Sequence, residues 1–226
     1  MRLPHKTLEK SLFNKGYKKI IAVDEVGMGS LAGPVVVCAV SFNKKFFRER
    51  HKNLHWLRDS KLLSPRQRES FVAKLLKEKN LKHRISYCYP KTIDRMNIYR
   101  AARLAMKRVV NKLADSQKRI ASKGRKKPLT TRYSLKFVVL VDGPNQIKGL
   151  NLKQMPIIKG DRKVFSIACA SLLAKVFRDK MMRRYAKRFP DYGFEKHKGY
   201  GTKFHRVMLL KHGRSPIHRN SFSFRI

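Results

Sequence analysis

Acidic residues are scarce in this chain. Only 14 Asp and Glu stand against 55 Lys and Arg in 226 residues, a formal net charge of +41 at pH 7. So basic a surface binds polyanions, with nucleic acid the first candidate. An anionic membrane is the second, but no apolar run reaches spanning length. The polar, Pro-broken start Met1-Arg2-Leu3-Pro4-His5 carries no signal-peptide pattern. The expectation is therefore no membrane partner and a cytoplasmic location, near the genome. Cysteine is also rare: Cys38, Cys88 and Cys169 make an odd count without a CxxC, which points away from a disulfide framework or a zinc site. The eight histidines form no HExxH, which again argues against zinc.

What is present suffices for one domain with a real core, since 42% of residues are hydrophobic. Lys18–Asp24 reads as a strand. The nearly unbroken apolar run Pro34–Phe42 reads as a second, buried on both faces, with the two joined antiparallel through a turn at Gly27–Gly33. Ser64, Pro65 and Gln67 spell a capped helix start, followed by a buried stripe of Phe71, Val72, Leu75 and Leu76. Arg84–Tyr89 is a short strand. Asn97 caps a helix with Ile98, Ala101, Ala102, Ala105, Val109 and Leu113 on one face. Residues 115–134 have little to bury and read as a basic loop insertion. Leu135–Val141 and Met155–Lys159 return to strand, Ser166–Arg188 is the clearest helix, and a further helix runs from Lys203 to Gly213. The fold class is α/β: a sheet with flanking helices. The expected division is an N-terminal basic extension (1–17), a main α/β domain (18–190) and a C-terminal segment (191–226).

Among the 14 acids, Asp24 and Glu25 stand side by side at a strand end, Asp142 ends another strand, and Asp161 lies just ahead of the small-residue helix. Such positions converge on one edge of a sheet. Four converging carboxylates repel one another unless a cation sits among them. Mg²⁺ suits hard oxygen donors, and two such ions can activate a water and stabilise the leaving oxygen of a phosphodiester. Glu9, Glu49, Glu69, Glu78, Asp94, Asp115, Asp191 and Glu195 lie among Lys and Arg and read as surface acids. The Gly27-Met28-Gly29 turn is no dinucleotide loop, because no GxGxxG is present and a strand follows. It suits close backbone approach to a sugar or phosphate. His197-Lys198-Gly199-Tyr200-Gly201-Thr202 combines cations, glycines and an aromatic. By composition it fits a nucleic-acid backbone and a surface turn equally.

These blocks, in order, resemble type 2 ribonuclease H (ribonuclease HII). The resemblance is carried by Val23-Asp24-Glu25-Val26-Gly27-Met28-Gly29-Ser30-Leu31-Ala32-Gly33-Pro34-Val35, Asp59-Ser60-Lys61-Leu62-Leu63-Ser64, Asn97-Ile98 with Ala105-Met106, and Val141-Asp142-Gly143. It continues through Lys159-Gly160-Asp161, Ser166-Ile167-Ala168 to Ala174-Lys175-Val176, Arg178-Asp179, His197 to Thr202, and Ile217-His218-Arg219 with Ser221-Phe222. It implies an RNase H-like fold with a mixed five-stranded sheet and a C-terminal helical part. The implied activity is hydrolysis of the RNA strand of RNA–DNA hybrids and cleavage 5′ to ribonucleotides embedded in duplex DNA, leaving a 3′-hydroxyl. It gives Asp24, Glu25, Asp142 and Asp161 two Mg²⁺ or Mn²⁺ ions. It makes Gly27, Met28 and Gly29 the reader of the ribose 2′-hydroxyl, Tyr200 the ring at the RNA-to-DNA junction, and Ser60, Lys61 and Lys198 further nucleic-acid contacts. Asp179 reads as structural. The family pattern has Arg where this chain has Met28, so backbone readout survives and a guanidinium contact does not. A monomer is expected, with Phe222-Ser223-Phe224-Arg225-Ile226 as a sliding-clamp peptide. The competing readings are a catalytically inactive basic RNA-binding protein on the same fold and a junction resolvase.

Overall fold

The structure is a computed structural model, and it describes residues 4–49, 63–122 and 136–223. The chain begins with helix α1 (Thr7–Asn14), then strands β1 (Lys19–Val26) and β2 (Val35–Phe42), and a short helix α2 (Lys44–Arg48). Helix α3 (Pro65–Leu76), strand β3 (Leu81–Cys88), and helices α4 (Pro90–Met96) and α5 (Ile98–Ser122) follow. Strands β4 (Phe137–Asp142) and β5 (Lys153–Ile157) lead into the long helix α6 (Phe165–Arg188), then α7 (Phe194–His197) and α8 (Lys203–His212).

The strands form a mixed five-stranded sheet in the order β3-β2-β1-β4-β5. β1 pairs antiparallel with β2 and parallel with β4. Alternation along each strand divides the core in two. Ile20, Ala22, Val36, Cys38, Val40, Val138 and Leu140 pack on one face against α6 and the N-terminal helices. Ile21, Val23, Val35, Val37, Ala39, Val139 and Val141 pack on the other against α5. Every residue of β2 is buried, as its continuous apolar run predicts. The small residues Ala168, Cys169, Ala170 and Ala174 let α6 lie close on the sheet. A third cluster ties Leu31 and Ala32 to Met182, Tyr192, Phe194, Leu209 and Ile217, so the C-terminal segment packs on the turn that follows β1. All three cysteines are buried and free. Among the described residues no helix is long and apolar enough to cross a membrane.

The capping box at α3 forms as read, with Ser64 and Gln67 bonding reciprocally. Asn97 likewise accepts from the Arg100 N–H at 3.0 Å. Other readings shift. The first 17 residues contain α1, whose Leu12 and Phe13 enter the core and whose Glu9 is fully buried, so Glu9 is no surface acid. Leu76, expected in a buried stripe, is 48% exposed at the helix end. Residues 115–122, read as part of a basic loop, continue α5 to Ser122. β1 does not stop at Asp24 but pairs on to Val26. Ser60, Lys61 and residues 224–226 of the C-terminal peptide lie outside the described residues.

Candidate active site

β1 and β4 lie side by side and parallel, with Val23 opposite Val141. The next residues, Asp24 and Asp142, therefore sit together at the carboxyl ends of adjacent strands. Strand alternation sends Asp24 to the α6 face and Glu25 to the α5 face. Their surroundings agree: Asp24 is hydrogen-bonded by Ser171 of α6, and Glu25 feels the positive charge of Arg103 of α5. Asp161 comes from the one-turn 3₁₀ helix Gly160–Arg162, entered through the left-handed Lys159. Gly160 keeps this corner tight, since a Cβ would lie 3.1 Å from Asp142 Oδ1 and 2.6 Å from Ile167 Cδ1 and push those side chains aside. The close approach lets the Gly160 N–H donate to Asp142 Oδ1 at 2.6 Å and the Asp161 N–H at 3.3 Å. Asp24 Oδ1 accepts from the Glu25 N–H at 2.7 Å.

Burial, then the negative charges of Glu25 and Asp142, hold the Asp24 carboxyl well above its ordinary range. Burial, then Asp142, pushes Glu25 up to about 7, against the opposing pull of Arg103; Asp161 adds a smaller upward push. The four acids thus share one sheet edge. They do not close into a ready cage: among the described residues no three His, Cys, Asp or Glu side chains are grouped tightly enough to hold an ion. The donor set still fits a hard divalent cation. It offers only carboxylate oxygens, and Glu25 Oε2 is buried without a hydrogen-bond partner.

Beside the carboxylates, the two loops singled out in the sequence are docked on each other. The N–H groups of Leu31 and Ala32 donate to the Gly199 carbonyl at 2.8 and 3.2 Å, and Ser30 bridges to Tyr200. Gly199 has φ +82°, and a Cβ there would fall 2.5 Å from the Ala32 carbonyl oxygen, so only glycine allows the contact. Two buried arginines fasten the pair. Arg178 of α6 donates to the carbonyls of Pro34, Lys198 and Ala32 at 2.9, 2.9 and 3.0 Å. Arg219 donates to those of Gly33, Met28 and Gly27 at 3.1, 2.9 and 2.6 Å. The peptides are trans, so with the Gly27 and Met28 carbonyls held inward, the N–H groups of Met28 and Gly29 face the opposite way.

Tyr200 is half-buried, its ring 5.4 Å from the Arg178 guanidinium and 5.7 Å from Lys175 Nζ. Lys198 is left-handed and turns its amine onto the Glu195 carbonyl. Asp179 accepts from Lys175 at 2.8 Å and lies 4.0 Å from Arg68, the structural part expected of it. Sequence reading gave no role to Arg178 or Arg219. In a chain with 55 basic residues, two more arginines carry no signal of their own.

Comparison with known proteins identifies the family and the fold. Residues 21–224 match the family model described as Ribonuclease HII. A Ribonuclease HII of Caldicellulosiruptor saccharolyticus is 41% identical over 215 residues, covering 95% of this chain and 92% of that protein. Among solved structures, the ribonuclease H2 of Pyrococcus horikoshii OT3 superposes with a TM-score of 0.61 at 25% identity, over 90% of this chain and 93% of that one. The PCNA:RNase HII complex of Archaeoglobus fulgidus gives 0.63 at 22%, over 92% and 96%. Bst-RNase HIII in complex with Mn²⁺ gives 0.62 at 14%, over 92% and 68%. The last two carry the fold alone.

Proposed function

The chain belongs to the ribonuclease HII family and is a ribonuclease H acting on RNA–DNA, and from that premise we propose how its own residues do so. It cuts the RNA strand of hybrids and the phosphodiester 5′ to ribonucleotides embedded in duplex DNA, leaving a 3′-hydroxyl. The observation that carries the site assignment is the carboxylate edge: Asp24 and Asp142 side by side on parallel strands, with Glu25 and Asp161 close enough to perturb one another. Asp24, Glu25, Asp142 and Asp161 hold two Mg²⁺ or Mn²⁺ ions. Bound there, such cations supply Lewis-acid polarisation of the phosphodiester and lower the pKa of an attacking water. The Bst-RNase HIII structure in complex with Mn²⁺ is consistent with that choice.

The rest of the site positions the nucleic acid. The outward N–H groups of Met28 and Gly29 meet the ribose 2′-hydroxyl, which DNA lacks. The Tyr200 ring packs on the sugar at the RNA-to-DNA junction, with Lys175 and Arg178 behind it. Ser60, Lys61 and Lys198 contact phosphates, and the remaining positive surface supplies nonspecific affinity. The protein acts as a monomer in the cytoplasm. Phe222 to Ile226 are its contact with a sliding clamp, in keeping with the PCNA complex of the Archaeoglobus protein.

The test is an assay with Mg²⁺ or Mn²⁺ on an RNA–DNA hybrid, a DNA duplex with one ribonucleotide, and a four-way junction. Cleavage of the first two with 3′-hydroxyl products is expected. Asp24→Asn and Asp142→Asn are expected to lose cleavage and keep substrate binding. Wild-type-like activity in either variant would overturn the site, and binding without cleavage by the wild type would favour the inactive RNA-binding protein.

A further inference from the structure

Behind the Tyr200 loop lies a chain of hydrogen bonds that the proposed reaction does not use. His205 of α8 and His218 are buried, at 0% and 3% exposure. Their Nε2 atoms face each other at 2.9 Å. At one end His218 Nδ1 stands 2.8 Å from the Ser215 N–H and 2.8 Å from the Ser215 hydroxyl. At the other, His205 Nδ1 stands 2.9 Å from the Tyr200 carbonyl oxygen.

The two ends fix the protons. A backbone N–H can only donate, so His218 Nδ1 accepts and its single proton lies on Nε2. That proton is given to His205 Nε2, which must therefore be bare. His205 then carries its proton on Nδ1 and donates it to the Tyr200 carbonyl, which can only accept. One tautomer pair satisfies the Tyr200, ring-to-ring and Ser215 backbone contacts, with the Ser215 hydroxyl sharing the single Nδ1 lone pair, and it holds only while both rings are neutral. Burial pushes both imidazoles down to about 4. The surroundings are aromatic or basic: the His197 ring stacks on His205 at 4.3 Å, Phe194 lies against both rings, and Arg214 faces His218. Among the described residues, the charged or titratable groups acting on the two rings are each other, His197 and Arg214.

We propose that His205, oriented by His218 and Ser215, is a positioning residue for substrate discrimination: it holds the Tyr200 backbone and so sets the ring against the RNA-to-DNA junction. The inference rests on the reading of Tyr200 as a substrate contact. The rings fill core space as well, but space filling does not require both ends of the relay to match in polarity.

The experiment compares His205→Asn, His205→Gln, Tyr200→Ala and the double variant His205→Gln/Tyr200→Ala, each checked for folding by circular dichroism and thermal melting. Asn places an amide N–H where His205 Nδ1 stands and keeps the Tyr200 bond. Gln reaches only the Nε2 position and keeps the His218 bond. His205→Asn is expected to retain the wild-type ratio of kcat/KM on single-ribonucleotide duplex to that on hybrid. His205→Gln is expected to lower that ratio roughly five- to tenfold through KM, the size of one lost hydrogen bond. The double variant is expected to fall no further than Tyr200→Ala alone. Equal behaviour of Asn and Gln, or additive losses, overturns the positioning role. If Tyr200→Ala itself leaves the ratio unchanged, the reading of Tyr200 fails instead.

Discussion

Arg219 Nη1 donates to the Met28 carbonyl at 2.9 Å, so the residue between the two glycines is fixed through its backbone. The same guanidinium takes the carbonyls of Gly27 and Gly33 and stacks 5.0 Å from Phe222. Burial lowers Arg219 to about 9, which leaves it charged at neutral pH. Lys cannot reproduce three diverging donors from a planar fork. Arg219→Lys is expected to lose about 2–4 kcal/mol of stability in denaturant unfolding. At temperatures where it stays folded, it is expected to weaken substrate binding while leaving single-turnover cleavage of saturated enzyme within a few-fold. A wild-type melting curve would show that the clamp is dispensable.

Because the backbone is held from below, the Met28 side chain is free to differ from the Arg of the family pattern. It is half-buried and packs at the edge of the α5-side core. Met28→Arg is expected to add a phosphate contact. Binding to a single-ribonucleotide duplex should tighten several-fold at low salt, and the slope of log K against log salt should steepen by about one. Unchanged slope and affinity would place residue 28 away from the phosphates.

The carboxylate edge predicts an inverted pH dependence in EDTA. Glu25 is raised from its ordinary value to about 7, and Asp24 is raised too. The folded chain therefore binds more protons than the unfolded chain between about pH 4.5 and 7. The sign follows: the contribution to stability is present below the unfolded value and is lost as pH rises through 7. Glu25→Gln is expected to be more stable than the wild type at pH 8, on the order of 1 kcal/mol, with the gap closing near pH 4.5. Adding Mg²⁺ at pH 8 should raise the wild-type melting temperature and leave Glu25→Gln less affected. A gap independent of pH would mean that the repulsion is not felt in the fold.

The segment 123–134 holds five Lys and Arg. Replacing Lys123, Arg125, Lys126 and Lys127 by Gln is expected to lower the salt slope of hybrid binding by roughly 2–4 and to leave turnover at saturation unchanged. An unaltered slope would take these residues out of the substrate path.

Some of this was legible in the sequence because the signals were strong against their background. β2 is an unbroken apolar run, α6 combines small residues with helical spacing, and four acids at element ends stand out in a chain so poor in acid. The glycine loop and the Tyr200 loop were both singled out, yet nothing in either indicated that they bond to each other; that contact joins residues about 170 positions apart. α1 was missed because it is only eight residues long and offers just Leu8, Leu12 and Phe13 as apolar positions. The arginine clamps were hidden by the abundance of their own residue type. Glu9 was hidden differently: its sequence neighbours are basic, but its partner is 157 residues away.

That partner gives Glu9 a role which can be measured. Its Oε1 accepts from the Ser166 N–H at 2.8 Å in the first turn of α6, where the helix leaves N–H groups unpaired and favours an acceptor. Oε2 is buried without a hydrogen-bond partner, and burial raises the carboxyl. A neutral amide should therefore serve about as well as the acid. Glu9→Gln is expected to match or exceed wild-type stability at pH 8, with its advantage shrinking toward pH 4.5, where the acid itself becomes neutral in both states. Glu9→Ala removes the acceptor and leaves a cavity between α1 and α6, at an expected cost of about 2–4 kcal/mol in chemical unfolding. α6 also carries Ser171 beside Asp24 and Arg178 beneath the glycine loop. The Ala variant should therefore also lose activity at temperatures below its own melting transition, whereas the Gln variant should not. Equal stability of the Ala variant and the wild type would remove Glu9 as the cap of α6.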